Sequence, residues 1–190
     1  GWMVWAAALA GVALALASPS WRSLPLSPYK SLSYALQAPG ARLAEQRWSV
    51  HSRLDVIVSP SLHSAPGLSL KYPGKLPPQH ALTFDGDNLS PIVRRVEPED
   101  EAFLAYLPTS IPWAMRPGAR ALIMSPRGGM DVAVALANGA SLVTLADDQP
   151  LAAPIVRDLY GAFTGNLYSD PRIVIESSSP RSVLQRGSDR

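Results

Sequence analysis

The sequence predicts an α/β protein built from an N-terminal transmembrane helix, a small β-rich domain and a partial parallel sheet. Three observations carry this reading. Residues 2–18 hold no charged side chain. Residues 29–96 consist of short apolar runs separated by Pro, Gly, Ser and Asp. From residue 119 onward, strand-like and helix-like segments alternate with short links, as in parallel α/β units. The expected divisions are residues 1–21, 22–96 and 97–190.

The first segment, WMVWAAALAGVALALAS, is near the minimum length for crossing a bilayer as a helix. Trp2 and Trp5 stand at one end and Trp21 at the other, as in an interfacial aromatic belt. A secretory signal core is the rival reading, because Ala15-Leu16-Ala17 resembles a cleavage site. That reading needs a basic stretch in front, and none is visible; a buried core helix is the third alternative. Arg22 and Lys30 follow the segment, so the positive-inside tendency places the rest of the chain in the cytoplasm. The chain begins with Gly, as expected of a processed product or a piece of something longer.

In the second segment, RLDVIV at 53–58 and ALTF at 81–84 read as strands. Residues 59–74 carry too many Pro and Gly for regular structure. Asp85-Gly86-Asp87 reads as a tight turn, since these residue types favour turns for conformational reasons. EPEDEAFLAY, residues 97–106, has acidic residues at the start and Pro98 where a helix tolerates it, so a short helix is expected there.

In the third segment ALIM (121–124) reads as a buried-type strand, and LVTL (142–145) and residues 173–175 as the second and third strands of a parallel unit. A small-residue helix over 132–137 ends at Asn138-Gly139, a helix stop. Leu151, Ile155, Leu159 and Phe163 recur every four residues and predict a second helix. Residues 188–190 read as a frayed end.

Composition excludes several functions. There is no Cys, so thiolate metal sites, disulfides and Cys nucleophiles are ruled out. The 17 Lys and Arg are scattered and the net charge is only +2, so no nucleic-acid partner is expected. His51, His63 and His80 lack metal-ligand spacing.

The turn SPRGGMD, residues 125–131, is the candidate site. Gly128 and Gly129 permit close backbone approach, and the helix start beyond them offers free N–H groups. Asp147 lies nineteen residues after Gly128, at the end of the second strand, where an acid can accept from both ribose hydroxyls of a nucleoside. A Gly turn with such an acid is a Rossmann-type pairing; a structural turn and a capping acid are the alternatives.

The run YLPTSIPWAMRPGARALIMSPRGGMDVAVALANGASLVTLADDQP, with FTGNLYSDPRIVIESSSPRSVL, resembles the nucleotide-binding domain of spermidine synthases. It is most like the bacterial group in which that domain follows membrane helices. SPYKSLSYAL and LPPQHALTFDGD resemble the β-rich part of the same group, so the similarity covers about residues 27–186. The resemblance implies a small β domain, a methyltransferase-like Rossmann domain, and aminopropyl transfer from decarboxylated S-adenosylmethionine to a polyamine. It assigns Gly128, Gly129, Asp131 and Asp147 to the nucleoside, with Asp147 replacing a Glu.

Other residues depart from the pattern further. Ser125 and Arg127 stand where the family has glycines, Ser179 where it has an acid and Pro180 where it has a Gly. The strand with the catalytic Asp would follow Arg190. General base catalysis supplies about 10²–10⁴ in rate, so the chain as given is expected to be non-catalytic. The expectation is a membrane-anchored accessory subunit with protein partners in a membrane complex and no cofactor. The alternative is a fragment of an aminopropyltransferase that takes decarboxylated S-adenosylmethionine or a related nucleoside.

Overall fold

The structure is a computed structural model that describes residues 2–16 and 26–188. Trp21 and Arg22, read above as a membrane flank, and Asp189 and Arg190, read as a frayed end, lie outside the described residues.

Helix α1, Trp2–Leu16, is 15 residues of Ala, Leu and other strong or apolar helix formers. The fifteen described residues rise about 22 Å, against a hydrocarbon core of about 30 Å, so the expected transmembrane helix is not found among the described residues; residues 17–21 of the expected segment lie outside them. Among the described residues no helix is long and apolar enough to cross a membrane. Trp2, Trp5, Leu9 and Leu14 are all exposed.

Four strands form an antiparallel meander in the order β1-β2-β3-β4: β1 (Arg42–Trp48), β2 (Arg53–Val58), β3 (Gln79–Phe84) and β4 (Asp87–Val93). The two expected strands are β2 and β3, the central pair. A two-residue turn, Asp85-Gly86, links β3 to β4, with φ of 52° and 74°. Positive φ at both positions matches the twist of a tight hairpin. Helix α2 (Ser31–Gln37) lays Leu32 and Ala35 on Ile57 and Ala81, forming a small core on one face of this sheet.

The other face joins the main core. Leu54, Val56, Leu82, Phe84 and Ile92 meet Phe103 and Leu104, and the same cluster runs on through Val132, Val134, Val143 and Leu145. Each such buried side chain contributes roughly 1.5–3 kcal/mol. The short helix expected over 97–106 is present as a 3-10 helix, Pro98–Tyr106. Its three-residue repeat aligns Asp100 with Phe103, and both are buried. Asp100 accepts from the amides of Val96 (3.0 Å) and Glu97 (3.1 Å) and pairs with Arg94 at 2.9 Å. Helix α3 (Ile111–Met115) then leads to the parallel sheet.

That sheet has the order β5-β6-β7: β5 (Arg120–Met124), β6 (Leu142–Ala146) and β7 (Ile173–Glu176), all parallel. Helix α4 (Met130–Ala137) connects the first two. It stops where expected: Gly139 has φ 76°, and the Ala140 amide donates back to the Ala135 carbonyl at 3.0 Å.

The helix expected over 151–163 is not continuous. Regular α geometry covers only α5, Ala152–Pro154, followed by a π-helical turn at Ile155–Leu159 and a series of turns through residue 166. Tertiary contacts override the four-residue spacing. The Arg95 amide, just past β4, donates to the Phe163 carbonyl at 3.0 Å. Gly161 sits so close to the Arg157 carbonyl that a Cβ there would lie 2.5 Å from it. Helix α6, Pro180–Ser188, closes the described chain, and its Arg186 pairs with Glu176 at 2.8 Å.

Candidate functional site

Strand β5 ends at Met124, and the Ser125 amide still donates to the Ala146 carbonyl of β6 at 2.9 Å. The chain then turns sharply. Ser125 has φ 53° and Arg127 has φ 52°, both in the left-handed region. These are the two positions where the resemblance places glycines. Each non-glycine residue in this conformation costs roughly 1–2 kcal/mol.

Gly128 and Gly129 are retained, and the structure shows what each approaches. The Gly128 amide donates to Ser90 Oγ of β4 at 3.1 Å. A Cβ at 128 would lie 2.3 Å from the Pro91 carbonyl oxygen. Gly129 has φ 93°, and a Cβ there would meet Leu167 Cδ2 at 2.7 Å and Tyr168 Cε2 at 2.9 Å. Both glycines therefore serve close packing against the protein itself. Tyr168, buried, donates its hydroxyl to the Arg127 carbonyl at 2.9 Å. Burial pushes the Tyr168 phenol far above its usual range, and the charges of Asp147 and Asp131 push the same way.

The Arg127 guanidinium folds over the Phe84 ring, 5.6 Å from its centroid, a contact worth about 0.5–1 kcal/mol. Asp131 is exposed in the first turn of α4, where a negative charge suits the helix dipole. Ser125, Arg127 and Asp131 share the wall of a cavity of about 390 Å³ with Leu89, Pro91 and Thr109.

Asp147 follows β6 directly and is 3% exposed. Its amide donates to the Glu176 carbonyl at 3.1 Å, continuing the ladder. Oδ1 accepts from the Gln149 amide at 2.9 Å, a local turn bond. Oδ2 is buried without a hydrogen-bond partner among the described residues. Burial raises the Asp147 pKa; the Gln149 amide opposes this, Asp148 adds to it, and Arg127 opposes it again. Asp147 lines a second cavity, about 220 Å³, with Gln149, Ala153, Arg157, Ile175 and Ser177.

The structure thus brings Gly128, Gly129 and Asp131 together in one turn, and sets Asp147 against a different cavity. Gln149 also reaches the first sheet: the Ser52 hydroxyl donates to its Oε1. Ser179 caps α6, its Oγ accepting from the Ser182 amide at 3.3 Å, with Pro180 at the first helical position. Ser90, Pro91 and Tyr168, which close the turn, lie about forty residues from it in either direction, and no local pattern marks them.

No family model matches the chain, and no curated protein matches it. Solved structures do. The spermidine synthase of Thermotoga maritima matches with a TM-score of 0.52 and 15% identity, over 76% of this chain and 44% of that one. A spermidine synthase in complex with the transition-state analogue AdoDATO matches with a TM-score of 0.50 and 16% identity, over 76% of this chain and 43% of that one. The chain has a spermidine-synthase-like fold and spans less than half the length of these synthases.

Proposed function

We propose that this chain is a non-catalytic, spermidine-synthase-like structural subunit that sits at a membrane and packs against protein partners in a larger assembly. One observation carries the proposal: both glycines of the turn are packed against protein atoms. Pro91 occupies the space beside Gly128, and Leu167 and Tyr168 the space beside Gly129. A nucleoside such as decarboxylated S-adenosylmethionine would have to approach that backbone while reaching Asp147, which faces a separate cavity. The residues present do not fit such a ligand, and no chemical step is assigned to one.

Location at a membrane is supported by α1. It is apolar along its whole length, and Trp2, Met3, Val4, Trp5, Leu9, Val12 and Leu14 are exposed, so it needs lipid or a partner as cover. The domain that follows is assigned to the cytoplasmic side, on the strength of the basic flank. Scattered basic residues give no footprint for nucleic acid.

One observation favours the alternative, a fragment of an aminopropyltransferase. The buried, unpartnered Oδ2 of Asp147 is an acceptor with spare capacity. Two assays test the proposal. Calorimetric titration with decarboxylated S-adenosylmethionine separates the readings: a structural subunit gives no saturable heat, and an aminopropyltransferase fragment binds the nucleoside. Flotation with liposomes should carry the full chain upward and leave behind a chain lacking residues 1–16. Saturable binding, or flotation that does not depend on those residues, contradicts the proposal.

A further inference from the structure

A third cavity lies on the α2 side of the antiparallel sheet, and nothing in the turn or in Asp147 accounts for it. It holds about 380 Å³, within the range of small-molecule pockets. Its rim is the 59–74 loop, through Leu62, His63 and Ser64, and its floor is Gln79 and Ala81 of β3. It borders the cavity at the turn only through Leu89 and Pro91.

The chemistry concentrates on Gln79, which is 3% exposed. Gln79 Oε1 accepts from the Ser64 amide at 2.6 Å. A backbone amide is an obligate donor, so this bond fixes which end of the carboxamide faces Ser64. The NH₂ group is directed elsewhere, and Nε2 is buried with no partner among the described residues. A buried donor left unmade costs about 1–3 kcal/mol, which an acceptor in the cavity would recover. The wall also carries Leu62, Ala81, Leu89 and Pro91 with Ser31 and His80; burial lowers the His80 pKa, which disfavours the imidazolium, and no Lys or Arg lines the space. A charged carboxylate would lose its hydration there without a cation to replace it.

We propose that this cavity is a binding site for a small uncharged carbonyl compound, an amide with an apolar body, whose oxygen accepts from Gln79 Nε2. The ligand's apolar part covers Leu62, Leu89 and Pro91, and the Ser64 hydroxyl and His63 at the rim meet its polar edge. The site is independent of the structural role proposed above.

The test is titration of the isotope-labelled full chain in detergent with benzamide, following the Gln79 side-chain NH₂ resonances. A saturable shift with a dissociation constant on the order of 1 mM is expected. Benzoate should bind at least about tenfold more weakly, for want of a cation. Gln79→Glu keeps the acceptor for Ser64 and replaces the donor with an oxygen. Leu62→Trp narrows the half-buried rim and leaves Gln79 in place, so it decides the matter if the first variant does not fold. For the variants, binding is followed on the Ser64 backbone amide. Loss of binding in whichever variant folds supports the site. No saturable shift in the parent chain, unchanged affinity in the folded variants, or benzoate binding as tightly as benzamide overturns it.

Discussion

The Gly128 amide donates to the Ser90 hydroxyl at 3.1 Å, which ties the strand-to-helix turn of one sheet to the edge strand of the other. The bond holds Gly128 against the Pro91 carbonyl, which belongs to the backbone and has little room to give. Gly128→Ala puts a Cβ 2.3 Å from that oxygen, and the overpacking should cost about 3 kcal/mol. A urea unfolding midpoint measures it. Ser90→Ala leaves the Gly128 amide unpaired and should cost about 1–2 kcal/mol by the same measurement.

Ser125 and Arg127 hold a backbone conformation that glycine adopts more readily. Ser125→Gly should therefore stabilise the fold, by about 1 kcal/mol. Arg127→Gly should change stability less, because relief of the backbone is offset by loss of the contact with Phe84. Thermal unfolding of the two single variants gives the comparison.

Asp147 and Asp100 should respond to pH in opposite senses. Burial raises the Asp147 pKa above its unfolded value. The folded state then binds the proton more tightly, so stability falls as pH rises from the ordinary Asp range through the raised folded value. Above that window the charged form is a standing cost. Asp147→Asn keeps an acceptor for the Gln149 amide and should be more stable than the parent at neutral pH. The advantage should disappear once the pH falls below the ordinary Asp value of about 3.9.

For Asp100, burial pulls the pKa upward, but the Glu97 and Val96 amides and the Arg94 guanidinium outweigh it and hold the carboxyl below its ordinary value. Its contribution is present above the ordinary Asp range and is lost as pH falls through the lowered folded value. Asp100→Ala removes two amide caps and one side of a mostly buried ion pair. It should cost about 2–4 kcal/mol at neutral pH, and the deficit should shrink in acid. Chemical unfolding of both Asp variants between acid and neutral pH checks the two signs.

The strands legible in the sequence are short apolar runs bounded by turn residues, whether buried like β2 or half-buried like β5, which was expected to be buried. The run at 53–58 is apolar and bounded by turn residues, and it became a central strand. Strand β1 reads RLAEQRW, is mostly exposed, and exists through its pairing with β2; nothing local marks it. Strand β4 contains Pro91, which argues against a central strand, and the residue is tolerated because β4 is at the sheet edge. The spacing at 151–163 was helical, yet the chain there is pinned by Arg95 and folded back at Gly161. In the site, the turn and the strand-end acid were legible because each is a local pattern. What closes the turn was not, since Ser90 and Tyr168 reach it across 38 and 41 residues of chain.

The central claim is that the synthase-like turn is filled by the protein's own residues. Isothermal calorimetry of the full chain with decarboxylated S-adenosylmethionine and with methylthioadenosine tests it most directly. The account predicts no saturable heat with either compound. Micromolar binding that Asp147→Ala abolishes would contradict it.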